Sequence, residues 1–228
     1  MSDSLKIIYK DNDVIIVEKP VGMPSQSDPT GAPDAMSVCS GELKKSGERF
    51  ELWLVHRLDR TVGGLIAFAR TKAAAAELCA IASGSGMDKR YFAICHGAFE
   101  GGELHDFLYK DSAAGKAYVV KTQRRGAKEA VLHATAKAHL GTDATLLSVK
   151  LQTGRFHQIR VQLASRTHPL IGDKKYGSRD AVSKTPALFA YRLEFSLFGK
   201  RVCAEVLPNT ESYPWSLFKN EYYRSNET

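Results

Sequence analysis

The chain has 228 residues, 43% of them hydrophobic and 25% charged, with a formal net charge of +7. That balance suits a soluble globular protein of one large domain or two small ones and excludes a low-complexity chain. No run approaches the roughly 18 apolar residues of a membrane span, and a pI near 9.2 leans toward polyanionic partners.

Leu5 to Glu18 reads as a hairpin, KIIY and VIIV about a turn at Asp11-Asn12-Asp13. Lys19-Pro20-Val21-Gly22-Met23-Pro24 ends it, because proline cannot continue a ladder. Residues 25–50 form a polar excursion with a short helix near Ala35 to Leu43. A short strand follows over Glu51 to His56, then a buried one over Leu65 to Ala69. Thr71 caps an alanine-rich helix from Lys72 to Ile81 that stops at Ser83-Gly84-Ser85-Gly86. Tyr91–His96, Glu103–Tyr109 and Ala117–Lys121 read as strands. Glu129–Leu140 and Ala144–Gln152 read as an antiparallel pair about Gly141-Thr142-Asp143. Phe156, Ile159 and Leu163 form a buried stripe that predicts a helix over Gly154 to Arg166. A last hairpin joins Ala187–Phe195 to Arg201–Val206. Helices do not alternate regularly with strands, so the expected class is α+β, with a mixed or mainly antiparallel sheet flanked by a few helices. No repeat or linker divides the chain, which reads as one domain.

Cys79, Cys95 and Cys203 lie in apolar runs and read as buried thiols; with Cys39 they match no zinc spacing. No phosphate-binding glycine loop, dinucleotide fingerprint, HExxH or GxSxG is present, so no cofactor or metal is expected. MSDSLKIIYK lacks a secretory leader, and the expected compartment is the cytoplasm. The basic residues are clustered: five cations against one acid between Gly115 and Ala130, and seven against two between Lys150 and Asp180. Clustering of this kind suits a nucleic-acid backbone, and equally a solvated basic face.

Four segments carry side chains fit for chemistry. In VHRLDRTVGG, Asp59 stands at a strand end between Arg57 and Arg60, ahead of a glycine pair that permits a sharp bend or close approach. Alone, it reads as an ordinary turn residue. In TGRFHQIR, His157 and Arg160 share a helix face that a cleft or plain solvent would explain. Tyr91 in KRYFAICH offers a ring for packing or for stacking on a base. HPLIGDKKYG is a basic turn containing Lys174 and Lys175.

In combination and order, DNDVIIVEKPVGMPS, HRLD, KRYFAICHG, TGRFHQIRVQL, HPLIGDKKYG and LFAYRLEF resemble the RluA-type family of RNA pseudouridine synthases over residues 5–208. The resemblance implies a single catalytic domain over 1–228 with an RNA-binding cleft across its sheet. It implies isomerisation of uridine in ribosomal or transfer RNA to pseudouridine: the N1–C1′ bond breaks, the base turns, and C5 joins C1′. No cofactor takes part. The family's essential carboxylate falls on Asp59. Its basic partner falls on Arg160, which would keep that carboxylate ionised. Its tyrosine falls on Tyr91, which would stack on the base and take a proton late. Arg57 matches an arginine that fills the space left by a flipped-out uridine; His56 matches the motif without a chemical step and is, with Arg57, an expected RNA contact. Arg60, Arg124, Arg125, Arg155, His157, Lys174 and Lys175 are the further expected RNA contacts. The chain departs from the family after Asp59, where Arg60-Thr61-Val62-Gly63-Gly64 lacks the usual Thr-Ser before glycine. The implied partner is RNA, acting on a monomer without a membrane or an obligatory protein. The rival reading is a non-catalytic RNA-binding or ribosome-assembly protein on the same fold. A carboxylate glycoside hydrolase would need a second cooperating acid.

Overall fold

The computed structural model describes residues 5–48, 51–84 and 86–224. Arg49 and Phe50 of the polar excursion, and Ser85 of the expected helix stop, lie outside the described residues. The chain forms two compact units, one of Met1–Lys89 with Ala190–Val206, the other of Arg90–Phe189 with Leu207–Thr228.

In the first unit, β1 (Lys6–Lys10) and β2 (Val14–Lys19) pair antiparallel. Asp11 Oδ1 accepts the main-chain N–H groups of Asp13 and Val14, both at 2.9 Å, and so closes the turn between them. After α1 (Ala35–Lys45) and β3 (Trp53–Leu54) comes β4 (Gly63–Ala69), antiparallel to β2 with Ile16 opposite Ala67 and Lys19 opposite Gly64. Every β4 residue is buried, as are Val14 to Val17. Strands covered on both faces read as unbroken apolar runs, which is the pattern of VIIV and LIAFA. α2 (Lys72–Ser83) starts where Thr71 Oγ1 accepts the Ala74 N–H at 3.1 Å. Its Ala74 and Leu78, one turn apart, join Val14, Ile16, Leu65 and Ala67 in one apolar cluster. β10 (Leu188–Leu197), from Ala190 onward, pairs with β11 (Lys200–Glu205) across Phe198 and Gly199. Both turn residues have positive φ, 50° and 79°, the backbone of a two-residue hairpin whose twist matches its strands.

In the second unit the strands are hydrogen-bonded in the order β5 (Asp88–His96), β9 (Ala144–Leu151), β8 (Ala127–Leu140), β6 (Gly101–Asp111), β7 (Lys116–Val120). The β6–β7, β6–β8 and β8–β9 ladders are antiparallel. β6 and β8 alternate between buried and exposed positions, so one face is apolar and the other wet. α3 (Gln158–Ala164) covers Leu108, Ala117 and Ala130 with Val161, and a 3-10 turn at Lys174–Tyr176 adds Tyr176 to that cluster. The class is α+β, strand-rich and mainly antiparallel, as the residue pattern implied.

Three expectations change. The Glu51–His56 strand shrinks to Trp53–Leu54. The ladder would next place Val55 opposite Ala67, but the Ala67 N–H donates instead to His56 Nε2 at 3.0 Å, so a side chain ends the strand. The Gly154–Arg166 helix spans only Gln158–Ala164, because His157 sits in the left-handed region at φ 54°. Gln158 Oε1 accepts from Thr153 Oγ1 and the Arg155 N–H at 2.8 and 3.0 Å, folding 153–157 into a turn. Ile159 and Leu163 are buried as expected, while Phe156 stands outside the helix. Of the thiols, Cys95 is buried but Cys79 and Cys203 are exposed, and all four cysteines are free. Cys203 faces out because Val202 and Ala204 hold the inward positions of β11.

Candidate functional site

In the first unit, Asp59 is half-buried on the loop between β3 and β4. Both of its neighbours are tied down. The Leu58 N–H donates to Ser25 Oγ at 3.0 Å, and Ser25 Oγ donates to the Leu58 carbonyl at 2.9 Å, with Ser25 itself buried. On the other side the Gly22 N–H donates to the Arg60 carbonyl at 2.8 Å, and Arg60 Nε donates to the Gly22 carbonyl at 2.9 Å. The Val62 N–H returns to the Asp59 carbonyl at 3.0 Å. The KPVGMPS segment is therefore a brace for the Asp59 main chain. Proline fixes its path, and Gly22 at φ 92° makes the turn.

Gly63 and Gly64 do not turn the chain away. They open β4, and Gly64 lies so close to Ala190 that an added Cβ would stand 2.2 Å from its carbonyl oxygen. Close main-chain approach, together with a φ of 112°, is what requires glycine at 64.

Beneath the loop lies Lys19, fully buried. Its Nζ donates to the carbonyls of Pro20 and Met23 at 3.0 and 2.7 Å. Burial pulls this ammonium down to about 8, and the charge of Asp59 pulls it the other way. The Asp59 carboxylate thus faces a cation held in its own unit. His56 is a second titratable group with its ring held inside the unit. Its Nε2 accepts from Ala67, so Nδ1 carries the proton; that nitrogen is sealed from solvent and meets no partner among the described residues. Burial, then the nearby charge of Lys89, push the imidazole down to about 3. His56, expected to contact RNA, instead turns its ring inward onto the Ala67 N–H. Arg57 is exposed. Arg60, expected to contact RNA, also folds back on Thr30 Oγ1 at 3.2 Å and lies 3.7 Å from Asp28.

In the second unit, Tyr91 is 8% exposed near the start of β5. Arg160 is buried in α3, with Nε 2.7 Å from Asp173 Oδ2 and Nη2 2.8 Å from Oδ1. Its guanidinium carbon lies 5.1 Å from the centre of the Tyr176 ring. Tyr176 Oη accepts the Ala117 N–H at 2.8 Å and bonds His157 Nδ1 at 2.9 Å. The His157 ring stacks on Phe156, centroids 3.8 Å apart.

The other expected contacts lie on the exposed side of this unit. Arg124 and Arg125 occupy the exposed turn 121–126, with the Arg124 guanidinium 4.8 Å over the Tyr109 ring. Lys175 Nζ donates to the Gly115 carbonyl at 2.9 Å, Lys174 is exposed, and Arg155 Nε donates to the Glu129 carbonyl at 2.8 Å. Lys110 and Lys116 add further cations over Phe156 and Tyr176, at 4.8 and 5.4 Å. Cations resting on aromatic rings present charge and a stacking surface together.

Lys19, Asp173 and Tyr176 were not singled out from the sequence. Lys19 carried a signal: in VIIVEK it shares a strand face with Ile15 and Val17, a buried place for an ammonium. Asp173 carried little, a lone acid ahead of two lysines. No group of three or more His, Cys, Asp or Glu able to hold a metal occurs among the described residues. No described helix is long and apolar enough to cross a membrane.

Residues 13–165 match the family described as RNA pseudouridylate synthase. The chain is 30% identical over 197 residues to a Bacillus subtilis protein named "Uncharacterized RNA pseudouridine synthase YhcT", covering 83% of this chain and 63% of that one. It is 32% identical over 180 residues to the "Ribosomal large subunit pseudouridine synthase D" of Zymomonas mobilis, covering 76% and 56% respectively. The chain thus spans under two thirds of the length of either relative. Among solved structures, Human RNA Pseudouridylate Synthase Domain Containing 1 superposes with a TM-score of 0.77 at 20% identity, covering 91% of this chain and 84% of that one. The second human example, Domain Containing 4, gives 0.74 at 22% identity, with 90% and 89% covered. These two show a shared fold. With the family matched across two thirds of its length and the HRLD loop braced as described, the chain belongs to the RNA pseudouridylate synthase family.

Proposed function

We propose that the chain isomerises uridine to pseudouridine in structured RNA, acting as one catalytic domain, as a monomer, in the cytoplasm. Large-subunit ribosomal RNA is the first substrate to test, since several relatives bear that name. Asp59 supplies the carboxylate that assists cleavage of the N1–C1′ bond, before C5 bonds to C1′ and gives up its proton while N1 takes one up. Tyr91 stacks on the base, and Arg160 supplies a fixed guanidinium. Arg57, Arg124, Arg125, Arg155, Lys174 and Lys175 contact the RNA.

The observation that carries this reading is the two-sided brace on Asp59. A carboxylate whose neighbours are bonded by main chain on both sides, with a buried ammonium beneath, is held for chemistry rather than for solubility. Incubating the protein with ribosomal RNA and mapping new pseudouridines tests it. Sites modified by the wild type and untouched by Asp59→Ala are expected. Identical maps from both proteins would favour a non-catalytic RNA-binding protein on this fold.

A further inference from the structure

We propose that Asp173 is the positioning residue for Arg160, and that the GDKKY turn exists in this chain to hold that guanidinium. The inference rests on the reading that Arg160 serves the reaction.

Asp173 is 1% exposed and Arg160 5%. Their fork is bidentate, with Nε and Nη2 on the two carboxylate oxygens at 2.7 and 2.8 Å. Two parallel bonds fix the guanidinium in its own plane, in both translation and rotation, which a single acceptor cannot do. The Tyr176 ring, 5.1 Å away, adds an aromatic contact to the same group. The ring in turn is held at its hydroxyl by the Ala117 N–H and by His157 Nδ1. The carboxylate's own main chain is equally fixed. The Asp173 N–H donates to the Leu170 carbonyl at 3.0 Å, and its carbonyl accepts from Tyr176 and Ser178 at 3.0 and 3.1 Å. Gly172, at φ 77°, lets the turn pass so near Thr185 that an added Cβ would stand 2.2 Å from its carbonyl oxygen.

A buried ion pair is a poor source of stability, because desolvation offsets most of its attraction. What it supplies here is direction. Asp173 also balances the charge of Arg160 within the unit. The fork thereby makes Arg160 a donor of fixed geometry.

The test combines three measurements on Asp173→Asn: single-turnover pseudouridine formation on an RNA that the wild type modifies, affinity for that RNA, and the ¹⁵N spectrum of the Arg160 Nε–H. The rate is expected to fall roughly 100-fold, the effect of a displacement of about 1 Å at a reacting group. Affinity should stay within about threefold, since phosphate contacts lie elsewhere. The protected Nε–H signal should be lost. Arg160→Met, Asp173→Leu and the two together complete a cycle, and the pair should be no slower than Arg160→Met alone. That pair buries no lone charge, so it carries the test even if Asp173→Asn unfolds. An unchanged rate in Asp173→Asn, or independent multiplicative losses in the cycle, overturns the inference. A wild type that shows the protected signal but modifies no RNA overturns the functional reading, and the positioning role with it.

Discussion

The first unit holds its acid by main chain, while the second displays many of its cations on exposed side chains. Asp59 lies between two residues whose backbones are bonded to the 19–25 segment, and that segment continues from the largely buried β2. Arg124 and Arg125 lie on a turn in which every residue from 121 to 126 is exposed. The contrast follows the tasks. A group that must meet one atom of a substrate gains from being fixed to about 0.5 Å. A group that meets a phosphate chain gains from reach, because the attraction is long-ranged and insensitive to geometry. Arg160 is the instructive exception. It belongs to the basic unit yet is buried and forked, built like the acid rather than like its fellow cations.

The sharpest way to break this contrast is Asp59→Asn. Turnover should fall by at least about 10³-fold, an effect on the scale of losing a key group in the reacting centre. RNA affinity should stay within several-fold. A filter-binding isotherm beside a pseudouridine assay checks both. Affinity falling in step with turnover would mean that Asp59 serves recognition.

Next in size is Gly64→Ala. The added methyl would meet the Ala190 carbonyl at 2.2 Å, main chain against main chain in a buried strand. A loss of about 3 kcal/mol or more is expected in a denaturant titration. Gly22→Ala is the control, since nothing lies within 4 Å of its Cβ position and only its positive φ resists the change. If both variants lose the same small amount, close approach is not what seats β4 against β10.

Much of this was legible in the residues. VIIV and LIAFA gave their strands because full burial leaves an unbroken apolar run, and Thr71 gave its helix through a cap. The ordered motifs led to Asp59, Tyr91 and Arg160. What stayed hidden depends on contacts far apart in the chain. The partner of Arg160 is 13 residues away in a turn, and the brace on Leu58 comes from Ser25, 33 residues earlier. The helix start at Gln158 was missed because no sequence rule places a histidine in the left-handed region. It sits there with its ring bonded to Tyr176, 19 residues on.

His56 offers a smaller probe of the stiff unit. Its folded pKa is about 3, against an ordinary 6.5. Between those values the unfolded chain takes up a proton that the folded chain refuses. The contribution to stability is therefore complete above 6.5 and declines as pH falls toward 3. By pH 5 the loss is about 2 kcal/mol. Unfolding free energies from denaturant titrations at pH 7.5 and 5 should differ by that much more in the wild type than in His56→Gln, whose amide oxygen can still accept from Ala67. Equal shifts in both proteins would place the acid sensitivity elsewhere.

The mildest change tests the exposed side. Replacing Arg124 and Arg125 together with alanine removes two cations from a turn that the fold does not need. Stability should be unchanged within about 0.5 kcal/mol. RNA affinity should fall about tenfold at moderate salt, and the slope of log affinity against log salt should flatten by about one to two, as two phosphate contacts are lost. At saturating RNA the rate should match the wild type, because nothing fixed near Asp59 or Arg160 has moved. The Arg124 guanidinium rests on the Tyr109 ring, so Tyr109→Leu gives a finer cut. It leaves both charges in place and removes only the surface that orients one of them. If the salt slope survives in Tyr109→Leu while affinity drops, the ring orients a cation already engaged with phosphate. If the slope flattens there too, the arginine reaches RNA only from its seat on the ring, and the exposed side is more rigid than the contrast with Asp59 implies.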